Sequence, residues 1–184
     1  MQRTILLLVA IITTFAIQAQ GISQVWYIAT RGKIFKGNGD ASNLQMVVDL
    51  SNDYISGYLT YHKGKLYGAS CKGGVNGNSC LFEIDPQTDN YTEKLILSDA
   101  ANGLPGRFSM LISDGSKLYG IGLGGSNGHG VLFEWDPETN IYTKKIDFTG
   151  ITGDARGSIS GDYNGGLTFS GNKFLGYTLN GGYS

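Results

Sequence analysis

The side chains best suited to chemistry in this chain are two histidines, two cysteines and a set of acids that recurs along the sequence. His62 stands in His62-Lys63-Gly64 and His129 in Asn127-Gly128-His129-Gly130, and neither has a second histidine or cysteine at metal-ligand spacing. A zinc centre needs about three or four such ligands, so both histidines are expected to be solvent-facing turn residues. The acids offer calcium through Asp85 and Asp89, or through Asp136, Glu138 and Asn140. Proline follows each leading aspartate, and the oxygen pattern of a calcium loop is not laid out, which favours structural turns. The glycine run Gly122-Leu123-Gly124-Gly125 precedes a strand pattern, so no helix N-terminus is offered to a phosphate. Gly124-Gly125-Ser126-Asn127-Gly128 has the Gly-x-Ser-x-Gly spacing but is followed by a strand pattern rather than the helix of a nucleophile elbow, and there is no cysteine–histidine dyad. Paired carboxylates for glycoside cleavage would be drawn from the repeated acids, each of which also has a turn or surface role.

The elements that position these residues come from a tandem repeat. Lys65-Leu66-Tyr67-Gly68 returns 52 residues later as Lys117-Leu118-Tyr119-Gly120, while Leu81 and Asp85 return 51 residues later as Leu132 and Asp136. A one-residue loop deletion reconciles the two spacings. A period near fifty residues, made of short alternating segments divided by Gly, Asn and Asp, predicts four-stranded antiparallel blades of an all-β, β-propeller-like array. In each unit a first strand (Tyr58 to Tyr61, or Met110 to Ile112) turns at His62-Lys63-Gly64 or Asp114-Gly115-Ser116 into the KLYG strand. Gly68 and Gly120, inside that strand, are expected where a neighbouring backbone comes close. A Leu-Phe-Glu strand follows, then an Asp-Pro-x-Thr turn in which the aspartate caps, the proline fixes φ and the threonine closes. The fourth strand begins at Tyr91 or Tyr142 and carries the lysines that protect a sheet edge. Val25 to Ile28, Lys33 to Lys36 and Leu44 to Leu50 match strands two to four of an earlier unit, and Gly166 to Gly176 starts a later one. The array therefore holds about two whole and two partial blades, fewer than the usual ring of about four to eight, and the sequence is expected to be truncated at its C-terminus.

The chain opens with Met1-Gln2-Arg3, an apolar run from Ile5 to Ile12 and a small residue at Ala19. That pattern predicts a cleaved signal peptide over 1–19 and a repeat region over 20–184. The apolar run falls short of a membrane span, so the mature chain is expected to be secreted or displayed at the cell surface with no transmembrane segment. Glycine occurs 29 times and tyrosine 11 times against three prolines, a balance suited to tight turns between aromatic strands rather than to helices. The formal charge of −1 becomes −2 without Arg3, so nothing favours a nucleic-acid partner.

The order of Tyr-Gly, four residues (three in the second full unit), a glycine doublet, Leu-Phe and Asp-Pro-x-Thr-x-x-Tyr-Thr resembles the GloVer (Gloeo/Verruco) tandem repeat of exported bacterial proteins, over most of the mature chain. The unit is also similar to a kelch blade. Asp136-Pro137-Glu138-Thr139-Asn140 matches the kelch turn, Tyr142 stands where kelch has tryptophan, and Arg107 and Arg156 lie in the linkers. The gap between Tyr-Gly and the doublet is longer than in kelch, which favours GloVer. The resemblance implies a propeller-like array, commonly continuing into a C-terminal sorting or anchoring region that this sequence does not contain. It supplies no catalytic residues and no cofactor.

Three function classes follow: a non-catalytic module binding glycan or protein, a secreted polysaccharide hydrolase or lyase with its site formed across blades, and a passive spacer. Positions that repeat report the fold, so contacts are expected from linker and loop residues, namely Arg107, Asn127, His129 and Arg156. Trp26 and Trp135 break the repeat; Trp135 replaces Ile84 and serves equally as packing or as a ligand platform. Cys71 and Cys80 flank the loop before the third strand and align with the apolar Leu123 and Val131, which predicts a disulfide across a hairpin in an exported chain. The closed loop is short, so the bond adds about 2–3 kcal/mol. Non-reducing peptide mapping should recover the two cysteines in one linked fragment, and two free thiols would contradict the pairing.

Overall fold

The computed structural model describes residues 25–30, 32–40, 42–50, 54–55, 58–71, 79–97, 111–122, 125–149, 166–171 and 173–177. The expected leader over 1–19, both linker arginines Arg107 and Arg156, and the side chains of Trp26 and Cys71 lie outside this set. The described residues form an all-β structure of antiparallel sheets. The first sheet joins β1 (Val25–Thr30), β2 (Lys33–Asn38) and β3 (Gln45–Asp49). The second is built on β6 (Lys65–Cys71), which pairs along one edge with both β4 (Tyr54–Ile55) and β5 (Thr60–His62), and along the other with β7 (Ser79–Ile84), itself paired with β8 (Tyr91–Leu97). The third repeats this order in β9 (Ile112–Ser113), β10 (Leu118–Gly122), β11 (Val131–Asp136) and β12 (Ile141–Asp147). The fourth pairs β13 (Gly166–Ser170) with β14 (Lys173–Tyr177). Apart from β4, which the repeat does not predict, these strands fall close to where it places them.

Turn chemistry sets the registers. Lys63 and Gly64 both take positive φ, 46° and 86°, the primed hairpin geometry whose twist suits β5 and β6. Asp85 caps its turn by accepting from the Gln87 amide at 2.8 Å, and Asp136 accepts from Glu138 at 2.9 Å. Each outer pair also carries a bulge at the same place, between Ile34 and Phe35, Leu81 and Phe82, and Leu132 and Phe133. The two-residue period means that each strand feeds two faces, and both faces of the middle sheets are buried. Tyr27, Ala29, Ile34 and Val48 of the first sheet pack on Leu66, Phe82 and Ile84 of the second. The other face of the second sheet, with Tyr67, Ala69 and Leu81, packs on Leu118, Phe133 and Trp135 of the third. Tyr119 and Ile121 of the third then meet Leu167, Phe169 and Phe174 of the fourth.

The strand glycines have a different partner from the expected backbone. Gly68 pairs with Phe82 and Gly120 with Phe133 across the ladder, and each phenyl ring lies over its glycine. A Cβ at Gly120 would stand 2.7 Å from Phe133 Cζ, and at Gly68 closer still to Phe82. Each ring is also flanked by the first tyrosine of the outer strand, Phe82 by Tyr91 at 5.2 Å and Phe133 by Tyr142 at 5.1 Å. The ladder also sets Cys80 opposite Ser70, with the sulfur 3.1 Å from Ser70 Oγ, and so one position away from Cys71, which closes β6. The pairing argument from facing positions is shifted by one residue, and the Cys71 side chain that decides it lies outside the described residues. Overpacking a full core site costs about 1–3 kcal/mol. Gly68→Ala and Gly120→Ala should therefore each destabilise by about that much in urea titration, and Phe82→Leu should recover part of the loss in the Gly68→Ala background. Additive single and double variants would deny the contact.

Candidate functional site

Of the expected contact residues, Asn127 and His129 are brought together on the loop between β10 and β11. Three glycines with left-handed backbones shape it, Gly125, Gly128 and Gly130 at φ 79°, 71° and 98°. Gly125 has no room for a side chain, because a Cβ there would stand 2.9 Å from Val131 Cγ1 and overlap the Asp147 carboxylate. Asp147 fastens the loop base: the Ser126 amide donates to both of its oxygens at 3.1 Å and Lys144 Nζ lies 2.6 Å away. The ammonium of Lys144 and the bonds from Ser126 hold the Asp147 carboxyl below its usual range. The Phe148 amide closes the loop onto Gly130 O at 2.9 Å. Asn127 is left exposed at the tip, and half-buried His129 has an Nδ1 with no hydrogen-bond partner among the described residues.

The repeated acids are engaged elsewhere. Glu83 accepts from Lys65 Nζ and Tyr67 Oη, both at 3.0 Å, and faces Lys94 at 3.7 Å. Burial pushes its pKa up, but these partners outweigh burial and leave it low. Glu134 repeats the arrangement with Lys117 and, at 3.0 Å, Lys145, and is likewise held low by its lysines. Asp85 and Asp136 are lowered chiefly by the turn amides they accept from. Two of the residues weighed as calcium ligands, Asp89 and Asn140, serve as clasps between sheets. Asp89, at φ 58°, accepts from Tyr27 Oη at 2.8 Å and pairs with Lys36 of the first sheet. Its counterpart Asn140, at φ 60°, donates to Lys94 O of the second sheet at 2.6 Å and accepts from Trp135 Nε1 at 3.1 Å. Among the described residues no three His, Cys, Asp or Glu side chains converge as metal ligands.

His62 differs from its sequence reading, and Trp135 is decided between its two readings. His62 does not face solvent: it ends β5, is 2 % exposed, and its Nδ1 lies 2.7 Å from Ser113 Oγ of the third sheet. The Gly115 amide donates to the same oxygen at 2.9 Å, and His62 Nε2 is buried without a hydrogen-bond partner among the described residues. The cause is the neighbouring sheet: β9 packs against β5, where the Thr60 hydroxyl also donates to Leu111 O. Trp135 is fully buried, edge-on to Tyr67 at 5.6 Å, so the packing reading holds and the ligand platform does not. Sequence reasoning missed the His62–Ser113 contact and the Asp89 and Asn140 clasps. The signal available for the clasps was the Asp or Asn closing each Asp-Pro-x-Thr turn, a residue type tolerant of left-handed backbone.

No protein-family model and no curated protein matches the chain. Among solved structures it is similar to a Mycobacterium tuberculosis puromycin-hydrolyzing peptidase, at 16% identity and a TM-score of 0.49 over 67% of this chain and 19% of that one. It is also similar to TolB from Acinetobacter baumannii, at 16% and 0.49 over 84% and 39%, and to an oligogalacturonate lyase in complex with manganese, at 14% and 0.47 over 64% and 30%. The chain thus spans between 19% and 39% of the length of these proteins. TM-scores below 0.5 at such identities carry no argument about activity or ligand.

Burial, followed by the charge of Lys63, lowers the His62 pKa against the opposing pull of Glu138, Asp114 and Asp136. A histidine with its folded pKa depressed stabilises the fold fully above the unfolded value of about 6.5, and that stability is lost as pH falls from there through the folded value. The wild type should therefore lose more stability than His62→Gln between pH 7.5 and 5.5, a window above the carboxylate titrations. Equal losses in denaturant titrations of the two would contradict a buried neutral His62.

Proposed function

We propose that the sheets are successive blades of a β-propeller-like array, and that the chain is a non-catalytic, secreted or cell-surface module binding glycan or protein through loops at one end of its strands. The observation that carries the reading is the loop over 125–130, fastened at its base by Asp147 and Phe148 and presenting Asn127 to solvent. A loop already ordered before binding loses little conformational entropy when it meets a ligand, and loops on a rigid scaffold are the usual place for contact residues. The employment of Glu83, Glu134, Asp85, Asp89 and Asp136 in cross-strand pairs, turns and clasps supports a scaffold role for the repeated acids. The apolar run over Ile5 to Ile12 supports export.

The test is a screen of the folded chain on glycan and protein arrays, run beside polysaccharide substrates with product detection. A ligand should be found whose affinity falls about tenfold, about 1.4 kcal/mol, on Asn127→Ala, with unchanged thermal stability. Turnover of any polysaccharide that disappears on removing one acid not shared between repeats would overturn the reading in favour of the hydrolase or lyase. Retained binding in the Asn127 variant would move the contact away from this loop.

A further inference from the structure

The joint between the second and third sheets is closed by a histidine. His62 is 2% exposed, its Nδ1 reaches across to Ser113 Oγ at 2.7 Å, and its Nε2 has no hydrogen-bond partner among the described residues. The Tyr67 ring of its own sheet stands edge-on to it at 5.9 Å. The charged groups around it are Lys63 beside it, Lys65 cross-strand, and Asp114, Asp136 and Glu138 of the third sheet. All of them are engaged with other groups. Lys63 pairs with Glu138 at 3.2 Å, and Lys65 with Glu83 and Asp85 at 3.0 Å. Asp114 accepts from the Ser116 and Lys117 amides at 2.8 and 2.7 Å, and Asp136 from the Glu138 amide at 2.9 Å. In either neutral tautomer the ring keeps its bond to the serine. A second proton would bury a charge and leave an N–H at Nε2 that no described residue accepts.

The neighbouring joints are built differently. Between the first and second sheets the side-chain bonds run from Tyr27 and Lys36 to Asp89. The counterpart of His62 in the third sheet is Asp114: His62 faces Lys65 across its hairpin, and the Asp114 amide donates to Lys117 O at 3.2 Å. The third and fourth sheets meet through Tyr119, Ile121, Leu167, Phe169 and Phe174. Stability in a stack is approximately a sum of sheet terms and neighbour-interface terms, and the His62–Ser113 contact belongs to one interface, since neither ring nitrogen joins a backbone ladder. We propose that this joint is released by acid: protonation of His62 parts β5 from β9 and uncovers Tyr67 and Trp135, while every sheet keeps its own ladder and the other two joints stay closed. Opening returns Nε2 to water and gives up the bond from the Thr60 hydroxyl to Leu111 O and the packing of Tyr67 on Trp135. Burial, then Lys63, already hold the His62 pKa below its ordinary value, so the release lies on the acid side of about 6.5. The device lies between two described sheets and is independent of any ligand at the loop over 125–130.

Aromatic Overhauser spectra of the whole chain at pH 7.5 and at about pH 5.5, the two sides of a histidine titration, test it. At the higher pH three ring contacts should be present: Tyr67 with Trp135 across this joint, Tyr119 with Phe174 across the next, and Phe133 with Tyr142 within a sheet. At the lower pH the first should be lost and the other two kept, reversibly, and His62→Gln should keep all three at both. In the wild type the His62 ring protons, identified by their contact with Tyr67, should titrate with the same midpoint as that loss, which tests the claim even where His62→Gln does not fold. A Tyr67–Trp135 contact unchanged between the two pH values would overturn the proposal. Loss of all three contacts together would mean general unfolding and overturn it too, as would loss of both between-sheet contacts, the same loss in folded His62→Gln, or two separate midpoints.

Discussion

Phe82 resting on Gly68, and Phe133 on Gly120, is the contact on which the rest of the structure depends. With no Cβ beneath it, a large ring lies close against its own sheet, so the next sheet can approach without a gap. The ring is then walled by Tyr91 or Tyr142 and covered by the tyrosine face of the adjoining sheet. Packing at this density transmits any added volume to neighbours on both sides. That is why a glycine, ordinarily unfavourable within a strand, recurs at this place in both complete repeats. The bulge beside each phenylalanine belongs to the same device, since it falls in all three outer strand pairs at the step where the ring begins.

Polar contacts then fix the order of the sheets along the chain. Asp89 and Asn140 use one left-handed position to reach back to the preceding sheet, one by charge toward Lys36 and one by an amide bond to Lys94 O. Thr60 and His62 reach forward to Leu111 and Ser113, and Lys63 pairs with Glu138 at 3.2 Å. The exposed ion pair adds little by itself, whereas the buried bonds penalise any sheet that arrives shifted by a residue. Stability in such an array is approximately a sum of sheet terms and nearest-neighbour interface terms. The loop over 125–130 draws its order from this frame, because Asp147, which anchors it, ends β12 of the same sheet.

Local grammar made much of the fold legible. Alternation in KLYG and LFE marked strands, and Gly64 and the Asp-Pro pairs marked turns, since each depends on neighbours a few residues away. Contacts between residues about fifty apart left no local trace. His62 sits beside Lys63-Gly64 and has the sequence surroundings of a turn residue, yet β9 of the next unit buries it. The glycines signalled a close approach, but the identity of the approaching group as a phenyl ring depends on the register between strands. Trp135 stood out by breaking the repeat, and only its environment against Tyr67 and Asn140 assigns it to the core. Of the site, the loop carrying Asn127 and His129 could be found as a variable segment between repeats, whereas its anchoring by Asp147, 21 residues after Ser126, could not.

The central claim is that successive sheets stack with the tyrosine face of one on the phenylalanine face of the next. Nuclear Overhauser spectroscopy on protein labelled only at its aromatic residues tests it most directly. Cross-peaks are predicted between the rings of Tyr67 and Trp135, 5.6 Å apart in different sheets, and between Tyr119 and Phe174, 4.2 Å apart, beside the within-sheet pair Phe133 and Tyr142. A spectrum holding the within-sheet contact while lacking both between-sheet contacts would contradict the account.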